Sequence, residues 1–198
     1  MKELDLLKKD WKKNSNSFEQ ISESEIYKMI HKKSSSIVMW IFIISIIEFL
    51  FWTAVYIYQN DAQHHKFLQK YGIEELEFWV NVFNYVVLTV FIYLFYKNYK
   101  TISTTDTTHQ LMENILKTRR SVKIYIWYNY VMLFIAYAIS LYIVIKFSPA
   151  DAKTGHITTL FTKFAMWSIA FWVFYQIVYG ILLKKLHKNH NELEKIEL

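Results

Sequence analysis

The chain has no cysteine, one proline, three glycines and only two arginines in 198 residues. Without cysteine there is no disulfide, no thiol nucleophile and no thiolate metal centre, and the redox compartment leaves no trace. Few residues remain that could interrupt a helix or shape a phosphate-cradling loop. No phosphate loop, G-x-S-x-G elbow or H-E-x-x-H zinc motif occurs. The seven histidines, His31, His64, His65, His109, His156, His187 and His190, all lie outside the apolar runs. A haem held within a bilayer would therefore find no axial histidine. The histidine boxes of membrane di-iron oxygenases are also missing. His187-x-x-His190 and His64-His65 lack a supporting carboxylate set and read as chance polar residues. No catalytic, cofactor-binding or metal-binding residue is expected, and an enzyme is the less favoured class.

What the chain does have is apolar length. Four stretches, residues 37–58, 76–96, 124–145 and 160–183, are each about 20 residues or slightly more. At ~1.5 Å per residue such a helix crosses a ~30 Å hydrocarbon core. The predicted fold is all-α, a four-helix transmembrane bundle with helical cytoplasmic extensions. No cleavable leader is evident in polar residues 1–36, so the first run is expected to be an uncleaved anchor. The mean hydropathy of +0.12 conceals this block pattern. The 15 Phe and 15 Tyr fit an AT-rich coding bias, or an aromatic pocket if they cluster inside the bundle.

Lysine and arginine set the expected threading. Eighteen fall in residues 1–36, 97–123 and 184–198, against four in the two intervening loops. The positive-inside rule then puts both termini and segment 97–123 in the cytoplasm of a multi-pass inner-membrane protein. Trp40, Trp52, Trp79, Trp127 and Tyr58 fall near the expected interfaces, whereas Trp167 and Trp172 fall deeper. The net charge of +6 is accounted for by attraction to anionic headgroups at the cytoplasmic face, and nucleic acid is not an expected partner.

Local patterns extend the helices beyond the bilayer. Ser22-Glu23-Ser24-Glu25 is a capping box, and Ile26, Met29 and Ile30 follow at helical spacing. The third helix is expected from about Thr107 to Lys146. The second is expected to reach Tyr99. The fourth is expected to continue into the tail through Leu186, Leu193 and Ile196. Residues 2–13 form an amphipathic helix candidate, with Leu4, Leu7 and Trp11 on one face. Its alternatives are an interfacial anchor and a surface helix packed on the chain itself. Segments 59–75 and 146–159 are expected as loops.

Glu48 is the most informative single residue. It is eleventh in its run, where an ionised carboxylate costs ~2.5–3.5 kcal/mol or more. As a neutral acid it could donate to another helix, with Asn84, Ser168, Tyr85 and Tyr137 at matching depth. A structural interhelical bond and a proton or ligand role are both open. Lys163 is expected to snorkel to the outer headgroups rather than pair with Glu48. Asn81, Asn84, Asn129 and Gln176 are expected to join helices. The likeness of Asn84-Tyr85-Val86-Val87-Leu88 to Asn129-Tyr130-Val131-Met132-Leu133 is either chance or the remnant of an inverted repeat.

The opening Leu6-Leu7-Lys8-Lys9-Asp10-Trp11-Lys12-Lys13, followed by four spans, resembles a group of uncharacterised inner-membrane proteins of Bacteroidota. Members are sometimes labelled beta-carotene monooxygenases, a label this chain argues against, because those enzymes resemble large propellers with a four-histidine iron site. Some relatives appear beside extracytoplasmic sigma factors, and the resemblance implies a regulatory role. The leading expectation is a scaffold or regulator that presents cytoplasmic helices to a partner protein or to a second copy. Leu4, Leu7, Trp11, Leu186 and Leu193 form its expected contact surface. The alternatives are a small transporter or proton-linked channel centred on Glu48, and a membrane enzyme acting on lipid or quinone.

Overall fold

The computed structural model describes residues 22–197, and within them every regular element is helical. Helix α1 spans Glu23–Gln59, α2 Ala62–Tyr71, α3 Glu74–Ser103, α4 Thr108–Phe147, α5 Ala150–Tyr175 and α6 Ile181–Glu197. A π-helical turn, Gln176–Gly180, joins α5 to α6 without a break. Four segments, α1, α3, α4 and the α5–α6 rod, are long and apolar enough to cross a membrane. The expected helix over residues 2–13, with Leu4, Leu7 and Trp11, lies outside the described residues.

Each boundary has a local cause. The Ser22 hydroxyl accepts from Glu25 N at 3.3 Å, and the Glu25 carboxylate accepts from Ser22 N at 3.1 Å. This reciprocal cap starts α1 at Glu23. Thr107 caps α4 through Gln110 N at 3.4 Å. Helix α3 runs on to Ser103, past the expected Tyr99. Its bare N-terminus carries Glu74, Glu75 and Glu77, whose charge suits the positive end of the helix dipole.

The two expected loops are largely helical. In the first, Asp61 caps α2 by accepting from His64 N at 2.8 Å, and Gly72 ends it at φ 64°, a left-handed conformation that favours glycine. His64 Nε2 then meets Glu77 at 2.9 Å and ties α2 to the start of α3. In the second, only Ser148 and Pro149 separate α4 from α5. Proline lacks the N–H that a first helical turn leaves unused, so it punctuates the chain without preventing the restart at Ala150.

The packing is uneven along the bundle. At the end where the lysines concentrate, here the basic end, the core is dense. Val38, Ile41, Phe95, Ile102, Leu111, Ile115, Val122, Leu186 and Leu193 are fully buried there. Leu186 and Leu193 are therefore core residues of this chain and not an exposed contact surface, which corrects the expectation from sequence. Their heptad-like spacing signalled burial against α1 and α4 within the same molecule. Toward the opposite end, none of residues 49–59, 74–87, 126–147 or 152–174 is buried. Aromatic rings bridge this half instead: Phe49 to Tyr85, Trp52 to Phe171 and Tyr137 to Phe164, at 5.7, 5.8 and 4.2 Å between centroids. Tyr71 at the end of α2 touches Phe147 at the tip of α4, with centroids 4.9 Å apart. Trp167 and Trp172, puzzling by depth, lie on the outside of the rod at 56% and 57% exposure.

Candidate functional site

The dense and loose halves meet at Glu48. Helix α1 delivers its carboxyl into the bundle at 7% exposure. The Tyr175 hydroxyl donates to Oε1 at 2.7 Å and the Tyr179 hydroxyl donates to Oε2 at 3.0 Å. Tyr125 of α4 closes the third side, its ring centroid 5.8 Å from Tyr179 and 6.5 Å from Tyr175. Phe91 and Phe95 of α3 pack on Tyr125 at 5.2 and 5.5 Å. Four helices thus converge on one carboxyl, and it makes no ion pair among the described residues.

The tyrosines come from the join between α5 and α6. Tyr175 ends α5 and Tyr179 lies in the π turn. Four residues apart around one wide turn, they present their hydroxyls to the same neighbour. A side chain on Gly180 would place Cβ 2.9 Å from Gln176 Oε1, so the glutamine amide folds over the glycine. Single π turns inside α-helices recur at functional sites.

The arrangement is a count of hydrogens. An ionised Glu48 accepts from both tyrosines and is satisfied at both oxygens. A neutral Glu48 brings a hydrogen of its own, which needs an acceptor, while its oxygens keep capacity to accept from the tyrosines. The two states therefore differ by one buried donor in the same cluster. A buried polar cluster whose donor count changes with one proton can act as a switch.

Depth also differs from the expectation. Glu48 is central in its own run, 37–58. Tyr125, however, is second in the run 124–145, and Tyr179 is fifth from the end of 160–183. The cluster therefore lies nearer the basic border than the α1 count implies. The early part of the first run, including Val38 and Ile41, serves as core of the basic-end bundle.

The depth-matched partners are accordingly corrected. Asn84 accepts from the Tyr128 hydroxyl at 2.8 Å and does join α3 to α4, away from Glu48. Asn129 donates to the carbonyl of Tyr125 on its own helix at 2.9 Å, so it joins no helices. Gln176 is exposed and covers Gly180. Asn81 and Ser168 are half-buried and take no side-chain bond to Glu48. Tyr85 packs on Phe49 and Tyr56, and Tyr137 on Phe164. Lys163 is exposed. The signal that would have found the true partners is Tyr175 and Tyr179 at i, i+4 within an apolar run, because a buried tyrosyl O–H needs an acceptor.

A second polar contact fixes the same two elements further toward the basic end. Asn189 of α6 donates to the Ser34 hydroxyl of α1 at 2.9 Å, with both residues buried. At the tip, the Tyr27 hydroxyl donates to the carbonyl of Thr105 at 3.1 Å, and His31 Nε2 lies 2.8 Å from the carbonyl of Ile102. His187 faces Arg119, with Nδ1 and the guanidinium 3.1 Å apart. Among the described residues no group of three His, Asp or Glu is placed to hold a metal.

No curated protein and no solved structure matches the chain. One family does, over residues 24–198, which include the capping box residue Glu25, Glu48 and all three tyrosines. The chain belongs to the family described as a domain of unknown function, DUF8845.

Proposed function

We propose that the chain is a regulatory protein of the inner membrane, non-enzymatic, with both termini cytoplasmic. Its intramembrane element is the Glu48–Tyr175–Tyr179 cluster, and its output is the packed helical layer at the basic end. Eighteen basic residues against four support that orientation. The observation that carries the reading is that α1 and the α5–α6 rod are bonded twice, at Glu48 and again at Ser34 and Asn189. A change in the bonding of Glu48, by a proton or by a ligand that competes for the tyrosyl hydroxyls, is transmitted along two rigid helices to the layer that meets a partner.

Photo-crosslinking in living cells tests it, with the reactive residue at exposed Leu116 of the basic end. The expected result is a discrete adduct with another protein, whose yield changes in Glu48→Gln. Adducts with lipid alone, or equal yields from both forms, would overturn the reading. A form lacking residues 1–20 separates the N-terminal segment from the rest: an unchanged adduct removes Leu4, Leu7 and Trp11 from the contact surface.

One observation favours a second reading, a proton-linked transporter centred on Glu48. The half of the bundle beyond Glu48 is loosely packed, while the basic half is closed. Proton or solute flux in liposomes that is lost in Glu48→Gln would favour transport.

A further inference from the structure

A cavity of about 610 Å³ opens between α1 and α6 at the basic end. Lys32 and Lys33 line it from α1, and Lys185 and Lys188 line it from α6. The lone acid in the lining is Glu192, which reaches Lys188 at 3.7 Å. Four lysines therefore line one space with a single carboxylate among them. An anion in that space would be attracted by all four.

The rest of the lining is of another kind. Met29 and Ile37 give the cavity an apolar flank. Ile37 opens the first apolar run, and Lys185 follows closely on the end of the fourth. On α1 and α6 the cavity thus sits where the apolar run gives way to charged residues. Its floor includes Asn189, held by its bond to Ser34. A basic recess with an apolar flank fits a lipid phosphate with its glycerol and upper acyl carbons.

We propose that this cavity binds the phosphate of one anionic phospholipid, with Lys32, Lys33, Lys185 and Lys188 as its charge partners and Met29 and Ile37 against the acyl chain. It is a single site between two helices, distinct from diffuse attraction of the basic end to a charged leaflet. It does not depend on the role given to Glu48.

Native mass spectrometry of the full chain, released from detergent with added phosphatidylglycerol or phosphatidylcholine, tests the assignment. The wild type is expected to retain one phosphatidylglycerol saturably and phosphatidylcholine at least tenfold more weakly. The triple variant Lys32→Gln, Lys185→Gln, Lys188→Gln is expected to lose that adduct by about tenfold or more. The control Lys100→Gln, Arg120→Gln, Lys123→Gln removes the same charge from exposed positions outside the cavity and is expected to keep it. Glu192→Gln removes the one acid and is expected to tighten binding, a gain that misfolding cannot produce. Equal loss in both triple variants, no saturable adduct, or no tightening in Glu192→Gln would overturn the site. Displacement of the lipid by millimolar inorganic phosphate would overturn the lipid as its source in favour of a soluble anion.

Discussion

Tyr175 donates its hydroxyl to Glu48 Oε1 at 2.7 Å, joining residues 127 positions apart in the chain. Tyr179 repeats the contact on the other oxygen. The energetics of this triad follow from what is left unpaired when one member is removed. Glu48→Leu strands two buried hydroxyls, each costing ~1–3 kcal/mol. Tyr175→Phe and Tyr179→Phe together strand the carboxyl instead. Combining all three substitutions removes both sides of the contact and should recover most of the loss, because an apolar replacement of both partners is nearly neutral. Thermal unfolding of the four proteins in one detergent checks it. Additive losses would show that the three groups are not bonded to one another.

The Ser34–Asn189 pair makes a similar but smaller case. Ser34→Ala leaves the buried Asn189 amide without its acceptor, and a loss of ~1–3 kcal/mol is expected. Ser34→Ala with Asn189→Leu should be less destabilised than Ser34→Ala alone. Unfolding midpoints in denaturant give the comparison, and a double variant worse than the single one counts against the contact.

Leu186 and Leu193 fill the basic-end core at 0% exposure, whereas Trp127 stands 72% exposed on the far half. Truncation of either leucine to alanine should cost ~2–5 kcal/mol through the cavity left behind. Trp127→Ala should change unfolding in detergent far less, since it leaves no internal void. Comparable losses at Leu193 and Trp127 would mean that the basic end is not the packed core.

These contrasts mark where sequence was informative. The four spans, the Ser22–Glu25 cap and the start of α4 at Thr107 were legible because hydropathy and capping are local properties. Helix α2 was missed because its amphipathic ten residues sit between two turn signals that read as a loop. Glu48 was legible as an oddity, since a carboxyl in an apolar run is rare. Its partners were not. Depth matching assumed that every apolar run begins at one membrane plane, but α1 spends its first turns inside the basic-end core. The leucines of the tail illustrate the same limit: heptad spacing announces a buried seam, and only tertiary packing decides whether the seam meets this chain or another.

The proposed orientation has a direct check. Reporter fusions at residues 104 and 198 should be active only with a cytoplasmic-reading enzyme, and a fusion at residue 149 only with an external one. The opposite pattern would reverse the sides assigned to the basic end and its cavity.

The central claim is that the bonding of Glu48 sets the packing of α1 against α6. The absence of native cysteine allows one spin label each at Ser24→Cys on α1 and Glu194→Cys on α6, both exposed at the basic end. The distance between them is then measured in lipid across an acid-to-alkaline series. The account expects a distribution that shifts with pH in the native background and stays fixed in Glu48→Gln. A distribution indifferent to pH in both backgrounds, or shifting equally in both, would contradict it.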